Sequence, residues 1–271
     1  MIVKTDAVVL KSMRYRDTSK IVTLYTRKFG KLAAIAKGAR GMKNKFGASL
    51  EPMTEVSLVL YKKEQRELQL ISQCDILRPF KRIHGEMENM GAAMSVIELL
   101  NQVTHNEEEN PALYRLLAGT LEALEPAIKN VHNFVYAFEL RLASLFGFTP
   151  AFDRCALCGR PCVAEGNSPN VMFRIDRGGL ICPTCAEGRE AVHSRKGAEF
   201  AGRPAESASI RIPTAQILNR LLHARLDSLS GVEYHESIRN ELDETLRCYL
   251  QYHFEGIRPL KSVAVFRMIT P

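Results

Sequence analysis

Near the N-terminus, apolar positions recur with a period of two. The stretches TDAVVLKS (5–12), KIVTLYTR (20–27), KLAAIAKG (31–38), EVSLVLYKK (55–63) and ELQLISQC (67–74) alternate or cluster aliphatic, β-branched and aromatic side chains. That is the pattern of strands with one buried face. Phe29-Gly30, Gly38 and Gly47 mark turns between several of them, and Pro79 closes the series. Five short strands in this length predict a compact five-stranded barrel, with an OB-fold as its expected form.

Beyond residue 80 the period lengthens to three and four. Ile83, Met87, Met90, Met94, Ile97 and Leu100 predict one buried face of a helix. Asn110-Pro111 starts a second helix through Leu113, Leu116, Leu117, Leu121 and Leu124, with Pro suited to the first turn. A third is expected over 132–146, ending at Gly147, a fourth over 213–229, stopped by Gly231, and a fifth over about 237–254. The Met and Leu stripes are read as core. Residues 195–209 are small and polar and are read as a loop. Residues 150–190, rich in Cys, Gly and Pro, interrupt the helices.

Charge sharpens this division. The chain of 271 residues carries a net charge of +7, with 46% hydrophobic and 25% charged side chains, a composition able to bury more than one core. Residues 1–80 hold 16 Lys+Arg against 7 Asp+Glu, whereas the remainder holds 21 against 23. The basic character therefore belongs to the predicted barrel. Residues 18–50 contain no acidic side chain but eight cations, densest in KGARGMKNKFG. A glycine-rich cationic loop suits the phosphate backbone of a nucleic acid, because each cation releases condensed counterions on binding. Lys20, Arg27, Lys31, Lys37, Arg40, Lys43 and Lys45 are the candidate contacts, with Phe46 as a candidate for base stacking. A plainly solvated face is the alternative, and Tyr25 is expected to be buried. MIVKTDAVVLKS shows no basic region followed by an apolar one, and no run of 18 apolar residues occurs. A cytoplasmic, nucleoid-associated protein with no membrane partner is expected.

Of seven cysteines, five fall between positions 155 and 185. Cys155-x2-Cys158 and Cys182-x2-Cys185 are separated by 23 residues containing VMFRI, a DRGG turn and GLIC, which read as a hairpin returning the second pair to the first. Each CxxC places two thiolates on one knuckle, and two knuckles complete a tetrahedron around one structural Zn²⁺. Cys162 is spare, and Cys74 and Cys248 are expected to be buried apolar packing. The expected class is thus α+β multidomain. An N-terminal OB-fold barrel (1–80) precedes an α-helical domain (81–149 and 191–271) carrying an inserted zinc ribbon-like element (150–190).

Other chemistries fit less well. A redox dithiol would stand on a strand-to-helix turn in a βαβ setting, which is missing here. His84-Gly85-Glu86 is an H-x-E, but a zinc deaminase also needs P-C-x-x-C, and neither cysteine pair follows a proline. There is no G-x-x-x-x-G-K-[ST], G-x-S-x-G or H-E-x-x-H, so no catalytic constellation is expected.

The order of several segments carries a resemblance. AVVLKSMRYRDTSKIVTLYTRKFGKLAAIAKGAR, FGASLEPM, FELRLASLFGF before the first CxxC, and GIRPLKSVAVF near the end resemble the RecO family of bacterial recombination-mediator proteins over essentially the whole length. The resemblance implies binding of single- and double-stranded DNA and annealing of complementary strands. It also implies assistance to RecR in loading RecA onto DNA coated by single-strand-binding protein (SSB), whose acidic C-terminal tail docks on the family's helical domain. Some members lack the cysteines, which implies a stabilising role for zinc. Asn44 stands where a Ser is common, and Val263 follows Leu260-Lys261-Ser262 where the family often has Arg. A C-terminal DNA contribution would then rest on Arg258, Lys261 and Arg267. An RNA- or ribosome-associated protein and a zinc-dependent hydrolase or nuclease are the competing expectations.

Overall fold

The computed structural model describes residues 1–42, 44–63, 65–162, 169–187 and 206–258. They fall into two compact units, one spanning Met1–Val131 and the other His132–Arg258. Among the described residues, no helix is long and apolar enough to cross a membrane.

The first unit opens with strands β1 (Ile2–Tyr15), β2 (Ser19–Thr26), β3 (Gly30–Ala36), β4 (Glu55–Tyr61) and β5 (Leu68–Arg78). They close into a barrel of order β1-β2-β3-β5-β4, with β4 returning to β1. All pairings are antiparallel except β3 with β5. β1 serves two neighbours along its length. Its first half pairs with β4 and its second with β2, and a register shift between Val9 and Lys11 turns the strand, as a bulge does in a tightly curved sheet. The period-two pattern holds: Leu32, Ala34 and Ala36 of β3 are buried and their neighbours half-buried. Val22, Leu24, Val56, Leu58, Leu60 and Ile71 fill the interior with them.

Among the described residues, three helices follow in this unit: α1 (Lys81–Gly85), α2 (Met87–Val103) and α3 (Pro111–Leu124). Asn110 caps α3, its Oδ1 accepting from the Leu113 N–H at 2.9 Å. The methionine stripe of α2 is corrected: Met87 and Met94 are 62% and 48% exposed, and the buried face is Asn89, Ala92, Ala93, Val96, Ile97 and Leu100. The cause is Asn89, whose amide donates to the carbonyls of Leu124 and Ala127 at 2.9 and 3.0 Å. Satisfying the C-terminal carbonyls of α3 from a buried amide fixes the rotation of α2. Met94 instead lines an apolar groove of about 540 Å³ with Leu10, Met53 and Ile97.

A second tie holds β3. Glu107 donates its N–H to the Lys31 carbonyl at 2.7 Å, and Gly30 has φ +60. A Cβ there would lie 1.9 Å from the Glu108 carbonyl oxygen, so only glycine fits this crossing.

The second unit begins with α4 (His132–Leu145), followed by β6 (Ala151–Cys155), β7 (Asn170–Arg174), β8 (Gly179–Ile181) and α5 (Pro183–Glu187). Then come β9 (Ser207–Arg211), α6 (Ile212–His223), a 3₁₀ turn (Leu226–Gly231) and α7 (Glu236–His253). The four strands form one sheet of order β6-β8-β7-β9, and β7 and β8 are the expected hairpin. Two expectations are corrected. Residues 207–209 are not loop but lie in β9, paired with β7 from Asn170↔Arg211 to Arg174↔Ser207. Their small polar side chains suit an edge strand with one buried residue, Ile210. The fourth helix ends at His223, ahead of the 3₁₀ turn, where Arg141 of α4 donates to the carbonyls of Leu221, Leu222 and Ala224. A cation on these orphan carbonyls stabilises the helix end.

Candidate nucleic-acid interface and metal centre

The barrel's cations divide by what they touch. Lys20 pairs with Glu51 at 2.8 Å and its side chain is only 18% exposed. Arg27 lies 3.9 Å from Asp6. Lys31 donates to the Asn101 carbonyl at 2.9 Å, and burial lowers its pKa. These three are tied into the fold, although surface ion pairs such as those of Lys20 and Arg27 are weak. Lys43 and Lys261 lie outside the described residues.

Lys37, Arg40 and Lys45 are exposed on the long connection between β3 and β4. Arg40 fastens this connection to the β1–β2 turn, its backbone N–H donating to Thr18 O at 2.8 Å and its guanidinium to Arg16 O at 3.2 Å. That tie brings Arg16, exposed like Arg14 two residues before it, beside the glycine-rich loop. Neither is among the contacts expected from sequence, because both precede the acid-free stretch. The cue was the polar outer face of KSMRYR, which prolongs β1 to Tyr15. Lys45 is anchored on the far side, donating to the Ser72 carbonyl at 2.7 Å.

Phe46 is a correction. It is 4% exposed and belongs to the barrel core with Leu50 and Cys74, so it presents no face to a base. Its ring carries Lys45 at 5.0 Å instead, and its N–H donates to Asn44 Oδ1 at 2.9 Å, which folds the loop inward at this point. Tyr25, 1% exposed, is buried as expected.

The second site lies in the second unit. The ligating sulfurs of Cys155, Cys158, Cys182 and Cys185 all fall within 4.8 Å of one another. Cys158 and Cys182 Sγ are 3.7 Å apart, close to the ~3.8 Å edge of a tetrahedron with bonds of about 2.3 Å. The first knuckle turns at Gly159, with φ +73, whose N–H returns to Cys155 O at 2.9 Å. The second opens α5, with Cys185 N–H on Cys182 O at 3.0 Å. Burial pushes the Cys155 thiol up, but the N–H groups of Cys182, Leu157 and Cys158 outweigh it and hold it at about 6. The Arg160 hydrogen bonds lower Cys158. Backbone donors stabilising thiolates are what a sulfur-ligated cation needs around it. Four sulfurs at this spacing fit one metal ion.

Of the remaining cysteines, Cys162 adjoins this cluster, and Cys74 and Cys248 lie elsewhere. Cys162 is 2% exposed, its thiol raised to about 12, first by burial and then by the neighbouring sulfurs. Cys74 is buried in the barrel, as expected, whereas Cys248 is corrected: it is half-buried beside Glu244 and Arg247. His84 has both ring nitrogens against carbonyls, Phe80 O at 2.8 Å and Pro52 O at 3.0 Å, so neither nitrogen is left to bind a metal.

Residues 1–80 match the family described as Recombination protein O N terminal, and residues 84–201 match Recombination protein O C terminal. The chain is 31% identical to the DNA repair protein RecO of Chloroherpeton thalassium, covering 99% of each. It is 32% identical to that of Chlorobium limicola, over 98% of this chain and 97% of the relative. With that of Caldanaerobacter subterraneus it shares 30% identity over 93% of each.

Proposed function

The chain belongs to the RecO family of DNA repair proteins, and on that premise we propose that it mediates recombination by binding DNA rather than by a chemical step of its own. It binds single- and double-stranded DNA through the cations at one edge of the barrel and anneals complementary strands. It also helps RecR load RecA onto SSB-coated DNA, taking hold of the SSB tail. The observation that carries the reading is the joining of Arg40 to the β1–β2 turn through Thr18 and Arg16, with Arg14 and Lys37 exposed close by in sequence. A surface of this kind lowers the repulsion between two phosphate backbones while leaving bases free to pair. Cys155, Cys158, Cys182 and Cys185 would hold one Zn²⁺ in a closed, four-sulfur shell. The ion's role there is structural.

Replacing Arg14, Arg16, Lys37 and Arg40 together with Ala tests the site. Affinity for a single strand should fall, and the slope of log K against log salt should flatten by about 0.7 for each phosphate that is no longer neutralised. Unchanged affinity and slope would remove the interface from this edge. Strand annealing on SSB-coated DNA, with and without RecR, tests the mediator role, and no stimulation under either condition counts against it. Strong preference for matched RNA would favour the RNA-associated alternative.

A further inference from the structure

Met42 stands out within the cationic loop. At 107% it has the highest exposure of any large apolar side chain among the described residues. Among the described residues, anchors lie before and after it. Before it, Arg40 is fastened to Thr18 and Arg16, and Gly41 N–H closes a turn on Gly38 O at 3.1 Å. After it, Asn44 holds the Phe46 N–H, Lys45 is pinned to Ser72, and Phe46 is sunk in the core. Two anchored flanks thus present one unburied thioether beside the exposed Arg40 and Lys45.

The neighbouring aromatics do not compete for that role. Phe46 is buried, and Tyr15 is half-buried with the Arg16 guanidinium 5.3 Å above its ring. We propose that Met42 is the side chain through which this loop touches bases, laying its thioether against unpaired bases of single-stranded DNA. The proposal rests on the reading of this edge as a DNA interface. Cations there would hold the backbone. A polarizable, unbranched side chain packs against any base face without selecting a sequence, as apolar wedges do at opened base steps.

The test uses the full chain, an oligothymidine strand and an abasic strand of equal length, each titrated over a range of salt. Met42→Ala should bind oligothymidine roughly fivefold more weakly than wild type. Its salt slope should be unchanged, and its affinity for the abasic strand should equal that of wild type. Met42→Leu should keep most of the oligothymidine affinity. Wild-type binding of oligothymidine by Met42→Ala, or the same loss on both strands, overturns the proposal while leaving the phosphate interface standing. Failure of the wild type to bind either strand in a salt-dependent way overturns the interface reading and this proposal together.

Discussion

The barrel and the cysteine-bearing sheet are both small β-structures, yet they are held in different ways. The barrel closes on itself around Val22, Leu24, Leu32, Leu58, Leu60, Ile71 and their neighbours, contributed by all five strands. Its fold is specified many times over, because each strand buries its own alternate residues. The sheet is open. Its inner face packs Phe152, Phe173 and Leu180 in the direction of α7, with Phe173 and Tyr249 rings 5.7 Å apart. At the end that carries the two knuckles, the groups brought together are thiols. The barrel can therefore spare its outer surface for cations, whereas the sheet gathers four thiols at one end. The contrast separates the region that would meet DNA from the region that would need an ion to stay folded.

The largest expected effect is on the metal centre. Cys182→Ser removes one sulfur from a site that would be worth on the order of 5 kcal/mol or more, by the scale of structural zinc in small domains. Zinc content should drop, and hydrogen exchange should rise in β6, β7 and β8 while β1 to β5 keep their protection. A wild type that loses its metal to chelator with no change in thermal transition would break the comparison at its base.

Phe46 probes the other side. Truncating a fully packed ring costs about 3–5 kcal/mol, so Phe46→Ala should destabilise the barrel by that much in a denaturant titration. Where the variant is still folded, affinity for single-stranded DNA should stay near wild type. Full stability combined with lost binding would return Phe46 to the interface and overturn its assignment to the core.

The same contrast explains what could be read in advance. Five strands, the α3 cap at Asn110 and the β7–β8 hairpin follow from local patterns: period two, Asn-Pro and a glycine turn. The cysteine cluster is equally visible, since CxxC spacing alone sets two knuckles. Sequence and structure part where a distant partner decides. The methionine stripe satisfies helical spacing, but Asn89 reaching Leu124 and Ala127 rotates α2 away from it. β9 has almost no apolar signal of its own and is a strand because β7 offers an unpaired edge. Phe46 sits in a glycine-rich cationic loop by sequence, yet the Asn44 turn carries it inward. Arg16 meets the glycine-rich loop only through the long-range bonds of Arg40.

The smallest effect concerns pH, and it too separates the regions. No histidine occurs in residues 1–80, so the strands of the barrel contain no imidazole to titrate near neutrality. In the second unit, His253 stacks on Phe148 with ring centroids 4.6 Å apart and meets Ile175 O through Nε2 at 2.9 Å. Burial lowers its pKa, and the Ile175 hydrogen bond and the Asp176 charge offset this only in part. A folded-state value below the ordinary 6.5 means that the unfolded chain takes up the proton first. The stability contributed by neutral His253 is therefore present above about 6.5 and is lost as pH falls through the lower folded value. The Tm of the second unit should drop by about 1–2 °C more in wild type than in His253→Phe between neutral and mildly acidic pH. The variant serves as the control because protonation of the cysteine cluster shifts both proteins alike. A wild type that gains stability relative to His253→Phe on acidification would show that the imidazole is charged in the folded state, and would remove the distinction between a pH-responsive aromatic seam and an indifferent barrel.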